Sequence, residues 1–177
     1  HEAALACGAP TAAILGSGID TYSSDAALSL ASRIVEAGGI IITEQPLGRN
    51  SDPSTLIRRN RIQTGCSVAT FFMQAGMESG TMHSVRYAAL QGRPVFAPSV
   101  PAAFADEPLN QAAMCMTRMS AEQFGLAIDA KASVQEAISL LDRPHIAYEI
   151  TGKDSYPEIL SQLDGLLENV SAVAPSM

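Results

Sequence analysis

Short apolar runs alternate along the chain with longer stretches of helical periodicity, the pattern of βαβ units and a parallel sheet. Ala4 to Ala6 read as the end of a helix closed by Cys7-Gly8. Thr11 to Leu15 form a strand that runs into Gly16-Ser17-Gly18-Ile19-Asp20, where the glycines let backbone N–H groups approach a ligand. Ser24, with Asp25 in the first turn, opens a helix that reaches about Ala37 and carries Leu28, Ala31, Ile34 and Val35 on one stripe. Gly38-Gly39 stop it, and Ile40 to Thr43 give the next buried strand. Glu44 to Pro53 fits neither period and is a loop.

Ser54 is the expected N-cap of a helix that holds Arg58, Arg59 and Arg61 and ends near Gly65. Val68 to Met73 is apolar without alternation, as expected of a central strand covered on both faces. The run breaks at Gly76, and Gly76 to Thr81 turns into a helix from Thr81 to Leu90, stopped by Gly92. Val95 to Ala97 is a strand, Pro98 to Pro108 a loop, and Asn110 to Met119 a methionine-rich helix. Leu126 to Ile128 reads as a short strand, and helices over Ser133 to Leu141 and Tyr156 to Leu167 flank a strand at Ile146 to Ile150. The pattern predicts one α/β domain over residues 1–177: a three-layer, Rossmann-like, mostly parallel sheet with helices on both faces.

Composition narrows this picture. With 177 residues, 47% of them hydrophobic, the chain can bury one good core. No apolar run approaches the roughly 18 residues of a membrane span, and the start has no signal-like region, which predicts a cytoplasmic protein without membrane contact. Cys7, Cys66 and Cys115 are far apart and read as buried reduced thiols, while His1, His83 and His145 are isolated, so no metal site is expected.

The net charge is −7, but its distribution is uneven: residues 1–120 hold eight basic and nine acidic residues, residues 121–177 three and nine. A local positive patch at Arg49, Arg58, Arg59 and Arg61 survives the global sign. On a helix, Arg58 and Arg61 project from neighbouring parts of one face and Arg59 points about 100° away. The expected anion site lies at the C-terminal ends of the strands. There Gly16, Ser17 and Gly18 offer backbone and hydroxyl donors, Arg58, Arg59 and Arg61 offer charge, and Ser79, Gly80 and Thr81 a helix N-terminus. Asn60 is assigned to bracing the loop. Thr21 stands where a dinucleotide fingerprint has its third glycine, so no nicotinamide or flavin cofactor is expected.

Five blocks resemble the DNA-processing protein A family (DprA/Smf), in the same order and at similar spacing across roughly residues 1–98. They are Ala13-Ile14-Leu15-Gly16-Ser17-Gly18-Ile19-Asp20, Gly39 to Gly48, Arg58-Arg59-Asn60-Arg61-Ile62 with Gly65, Glu78-Ser79-Gly80-Thr81, and Gln91 to Ala97. The resemblance implies a Rossmann-like domain that binds single-stranded DNA and, in the family, hands it to the RecA recombinase during natural transformation. That is a binding module, not an enzyme. His1 to Leu5 resembles the middle of the family's domain, so the family's opening strands, which carry a glycine-serine-arginine turn of the same anion site, have no counterpart in these residues. Residues 99–177 depart from the family: Pro98-Ser99 replaces its Pro-Gly pair, no winged-helix pattern follows, and the C-terminal part is acidic.

Two other readings compete. A nucleotide or small phosphorylated ligand could occupy the cleft at Gly16 to Gly18 and Gly80-Thr81, as in a sensor of the same superfamily. The phosphoribohydrolases of that superfamily (LOG) place a catalytic glutamate shortly after a glycine-threonine turn, whereas here Thr81 is followed by Met82, His83, Ser84 and Val85. Sheet physics adds a last expectation. The strand at Thr11 to Leu15 has no lysine, bulge signal or interior proline to protect an open edge, so that edge should be covered by an upstream segment or by a second chain in a homodimer.

Overall fold

The computed structural model describes residues 1–128, 132–139 and 144–173. By internal contacts the chain divides into two compact units, His1–Gln63 and Thr64–Met177.

The first unit contains α1 (Glu2–Ala6), β1 (Ala12–Ile14), α2 (Asp25–Glu36), β2 (Ile40–Ile42) and α3 (Pro53–Gly65) as far as Gln63. Strands β1 and β2 pair in parallel, with Ala12 opposite Ile40 and Ile14 opposite Ile42. The crossover helix α2 starts where the sequence places it, because the Ser24 hydroxyl accepts the Ala27 N–H at 3.2 Å. It ends on Gly38, whose φ of 79° suits glycine. Gly39 lets β2 start close beside β1: a Cβ there would stand 2.3 Å from the Thr11 carbonyl oxygen. Ala13, Ile14, Ala31 and Ile34 are buried and form the small core.

The predicted helix stripe is only half used. Leu28 and Val35 are exposed, as is Ile40, because a sheet of two strands covers only a narrow strip of the helix and leaves β2 an edge. On the other side of β1 the hydrogen-bond parity is decisive. The Thr11 carbonyl accepts from Ile40 and the Leu15 N–H donates to Ile42, which turns the backbone groups of Ala12 and Ile14 away from β2. No strand pairs along that edge among the described residues.

The second unit contains β3 (Thr70–Phe71), α4 (Met82–Leu90), β4 (Val95–Pro98), α5 (Gln111–Arg118), α6 (Ala121–Ala127), α7 (Ala132–Ser139), β5 (Ala147–Ile150) and α8 (Tyr156–Val173). Its strands are parallel in the order β3-β4-β5. One sheet face, with Phe72, Val95 and Ala97, meets Val85 of α4, Met116 of α5 and Phe124 of α6 in a continuous core. On the other face Phe71, Phe96 and Tyr148 occupy one row across the three strands, with ring centroids 5.0 and 5.3 Å apart.

The outer members of that row are exposed, Phe71 at 47% and Tyr148 at 41%, and Met73 is exposed at 65%. The expectation of a strand buried on both faces over Val68 to Met73 is thereby corrected: β3 is two residues long, and of Phe71, Phe72 and Met73 only Phe72 is buried. Leu126 to Ile128 is not a strand but the end of α6 and its C-cap. That helix is set by a capping box in which the Ser120 hydroxyl and the Gln123 side chain each bond the other's backbone. The expected helix over Ser133 to Leu141 is α7, and its last two positions lie outside the described residues. The thiols are free, yet Cys7 and Cys66 are exposed rather than buried and Cys115 is half-buried. Short, small-residue surroundings on the sequence do not distinguish a core from a helix end.

Candidate anion-binding site

The chain leaves β1 at Leu15 and folds Gly16-Ser17-Gly18 tightly against the loop that precedes α3. A side chain at Gly18 would collide with the Pro46 carbonyl at 2.5 Å, and one at Gly16 with Leu56 at 2.9 Å. Gly18 is therefore required by the chain's own packing, and Gly16 fits closely against Leu56. Part of the loop's polar capacity is also used internally. Gly18 N–H donates to the Arg49 carbonyl (2.8 Å), Ser17 Oγ to the Thr21 carbonyl (2.7 Å), and Thr43 Oγ1 to the Ser17 carbonyl (2.7 Å). Asp20 ties the same loops together by accepting the Gly48 N–H at 2.8 Å, and that bond, more than any other, holds its carboxyl below the usual aspartate range. The N–H groups of Gly16 and Ser17 have no acceptor among the described residues.

Helix α3 distributes its three arginines as the helical periodicity requires, and they meet different fates. Arg61 is paired with Glu44 across the surface. Arg58 is exposed and has no carboxylate partner among the described residues. Arg59 turns inward: Nη1 donates to the Ile14 carbonyl at 2.7 Å, on the edge of β1 away from β2, while Nε is buried without an acceptor among the described residues. Arg59 lies in the wall of a cavity of about 270 Å³ that Gly16, Ser17, Tyr22, Asn50 and Leu56 also line. A guanidinium with a buried unspent donor beside two unspent backbone N–H groups is a place for an anion.

The start of α3 differs from the sequence expectation. Asp52, not Ser54, is the cap: its Oδ1 accepts the Thr55 N–H (2.9 Å) and its own N–H donates to Thr55 Oγ1 (2.9 Å). Pro53 then fills the first helical position, where its missing N–H costs nothing. Three groups hold the Asp52 carboxyl below the usual range, first the Ser54 hydroxyl, then the Thr55 N–H, then Arg49. A lowered folded-state pKa stabilises above the ordinary aspartate range and loses that contribution as pH falls through the lowered value. In an acid titration the thermal midpoint of Asp52→Ala should therefore fall less than that of the unaltered chain. Equal falls would show that the cap carries no pH dependence.

In the second unit, the turn between β3 and α4 brings Ser79, Gly80 and Thr81 to the start of α4, as predicted. Much of its donor capacity is spent within the turn. Met82, His83 and Ser84 donate to the carbonyls of Ser79, Gly80 and Thr81, and the Thr81 N–H to Ser79 Oγ. Gly80 is exposed, has no left-handed φ, and a Cβ there meets nothing within 4 Å. His83, on α4, has its pKa lowered by burial and then by Arg86. Among the described residues no group of three or more His, Cys, Asp or Glu side chains is placed to hold a metal ion, and no helix is long and apolar enough to cross a membrane.

The sequence reading missed Tyr22, Asn50 and Ser51, which line the cavity, because they sit in irregular loops where neither period applies. It also missed Asp52, although a proline following an aspartate is a helix-start signal.

Comparison with known proteins bears on the fold and the family. Two proteins named Smf align with about half of the chain: that of Escherichia coli (strain K12) is 36% identical over 97 residues, 55% of this chain and 26% of the relative. That of Synechocystis sp. is 33% identical over 96 residues, 54% of this chain and 24% of the relative. The chain thus spans about a quarter of the length of these relatives. DNA processing protein A from Helicobacter pylori, described for its single-stranded DNA binding mode, has a TM-score of 0.57 at 16% identity and covers 85% of this chain and 56% of its own. The Streptococcus pneumoniae protein of the same name also has a TM-score of 0.57, at 22% identity, over 89% of this chain and 46% of its own. These likenesses establish the Rossmann-like α/β fold. The model of the DNA recombination-mediator protein A family matches residues 1–134, which include every element from β1 to α6, and the chain belongs to that family.

Proposed function

We propose that this chain binds single-stranded DNA, with the cavity beside β1 as a phosphate site and Arg59 as its principal charge. The observation that supports this most directly is the buried Arg59 Nε, which has no acceptor among the described residues, on a side chain that forms no ion pair with them. A phosphate oxygen would satisfy it, and the N–H groups of Gly16 and Ser17 could share the same anion. Arg58, exposed one position away, extends the positive path along α3, whereas Arg61 is occupied by Glu44. The reading carries with it the role implied by the family resemblance, DNA processing and hand-over of the strand to a RecA-type recombinase. Composition adds a cytoplasmic location, and sheet physics adds that the edge of β1 left without a strand among the described residues is covered by another segment or by a second chain in a homodimer. It assigns no catalytic group.

Binding of a fluorescent oligothymidylate at increasing salt tests it. Affinity should fall linearly on a log–log plot, with a slope of about −0.7 for each phosphate contacted, and a mononucleotide should compete poorly. Tight binding of a mononucleotide with little salt dependence would favour a small-ligand pocket instead. The turn at Gly80 gets its own test. Gly80→Val should leave the thermal midpoint unchanged, since the added side chain meets open space. It should weaken DNA binding less than loss of Arg59, because the first N–H groups of α4 are already bonded within the turn. Abolition of binding by Gly80→Val alone would move the centre of the site to the second unit.

A further inference from the structure

We propose that Tyr22 is a base-stacking residue of this site: its ring holds one nucleobase of the bound strand while Arg59 holds a neighbouring phosphate. This rests on the single-stranded DNA reading and adds to it the part of the ligand that phosphate contacts ignore.

Tyr22 is the one aromatic residue in the lining of the Arg59 cavity. It also lines a second cavity of about 320 Å³, walled by Ala31, Val35 and Ile41 among others. With open space adjoining it in both, the half-buried ring is not locked into a core. Its hydroxyl makes no hydrogen bond among the described residues, so nothing polar fixes it. Leu15, Ala27 and Leu56 give the first cavity an apolar remainder that suits the faces and edges of a base better than a second phosphate. At about 270 Å³ the cavity lies near the lower end of small-ligand clefts, which span about 300–1,000 Å³, and so takes one nucleotide unit of a strand rather than several. An aromatic ring beside a charged group is also the pairing by which proteins hold single strands without reading sequence, because every base offers a π face.

The experiment compares two oligomers of equal length and charge, one of thymidylate and one abasic throughout. The unaltered chain should prefer the thymidylate strand by on the order of tenfold or more. Tyr22→Leu should lose about that factor for thymidylate, keep its abasic affinity, and keep the salt slope, since no phosphate contact is removed. Tyr22→Phe should retain the preference. The chain has four tyrosines and no tryptophan, so quenching of tyrosine emission by thymidylate but not by the abasic strand gives a readout that needs no variant. Equal affinity for the two strands, or a folded Tyr22→Leu with the preference intact, overturns the stacking role and leaves the phosphate reading standing. Failure to bind either strand at low salt overturns that reading, and the stacking role with it.

Discussion

Arg59→Ala is expected to weaken binding to single-stranded DNA of any sequence by roughly ten- to hundredfold, the loss that a charge-assisted hydrogen bond of about 1.5–3 kcal/mol implies. The slope of log affinity against log salt should shrink by about 0.7, one phosphate's share on a single strand. Among the three arginines of α3, Arg59 should matter most because it lines the cavity and its buried Nε has no partner among the described residues. Arg61→Ala should have little effect, since that guanidinium already serves Glu44. Arg58→Ala should lower the slope with a smaller loss of affinity, as befits an exposed charge. Arg59 also supports the fold, through Nη1 on the Ile14 carbonyl, so the thermal midpoint must be measured beside affinity. Arg59→Lys separates the two roles: it keeps a point charge and most of the salt slope but not the fork of donors. Unchanged affinity and slope in a folded Arg59→Ala would remove the cavity from the site.

The sequence revealed those parts of the molecule whose cause is local. An apolar run ending at Gly16 marks β1 and one beginning after Gly39 marks β2, Ser24 marks the start of α2, and the 100° step between neighbours separates Arg59 from Arg58 and Arg61. What it could not reveal depends on partners far along the chain. Glu44 is 17 positions from Arg61, and nothing in the spacing of either announces their ion pair. The strand Val68 to Met73 hides its own alternation, because Phe71, Phe72 and Met73 are all apolar while only Phe72 is buried. Leu126 to Ile128 is too short for periodicity to decide between helix and strand, although Ser120 and Gln123 spell a capping box just ahead of it. The glycines at 16 and 18 were legible as a place where the backbone can be approached closely; that they are themselves packed against Leu56 and Pro46 could be learned only from the fold.

The largest effect on stability should come from Phe124→Ala, at about 3–5 kcal/mol, the usual range for emptying an aromatic site in a well-packed core. Phe124 is fully buried on α6, just past the Ser120 cap, in the cluster that joins α4, α5 and α7 to one face of β3-β4-β5. The helix start is fixed by its capping box and the sheet by its ladder, so the surroundings have little freedom to collapse into the vacated space. A natural domain holds roughly 5–15 kcal/mol in all, and a loss of this size removes a large share of it. The opposite face of the same sheet supplies the control. Phe71 stacks on Phe96 at 5.0 Å but is 47% exposed, so Phe71→Ala gives up ring contact without opening a closed cavity and should cost far less. Urea unfolding of both variants measures the difference as a shift of midpoint at constant slope. A Phe124→Ala variant no less stable than Phe71→Ala would show that the tightly packed face of this sheet is not where the second unit's stability resides.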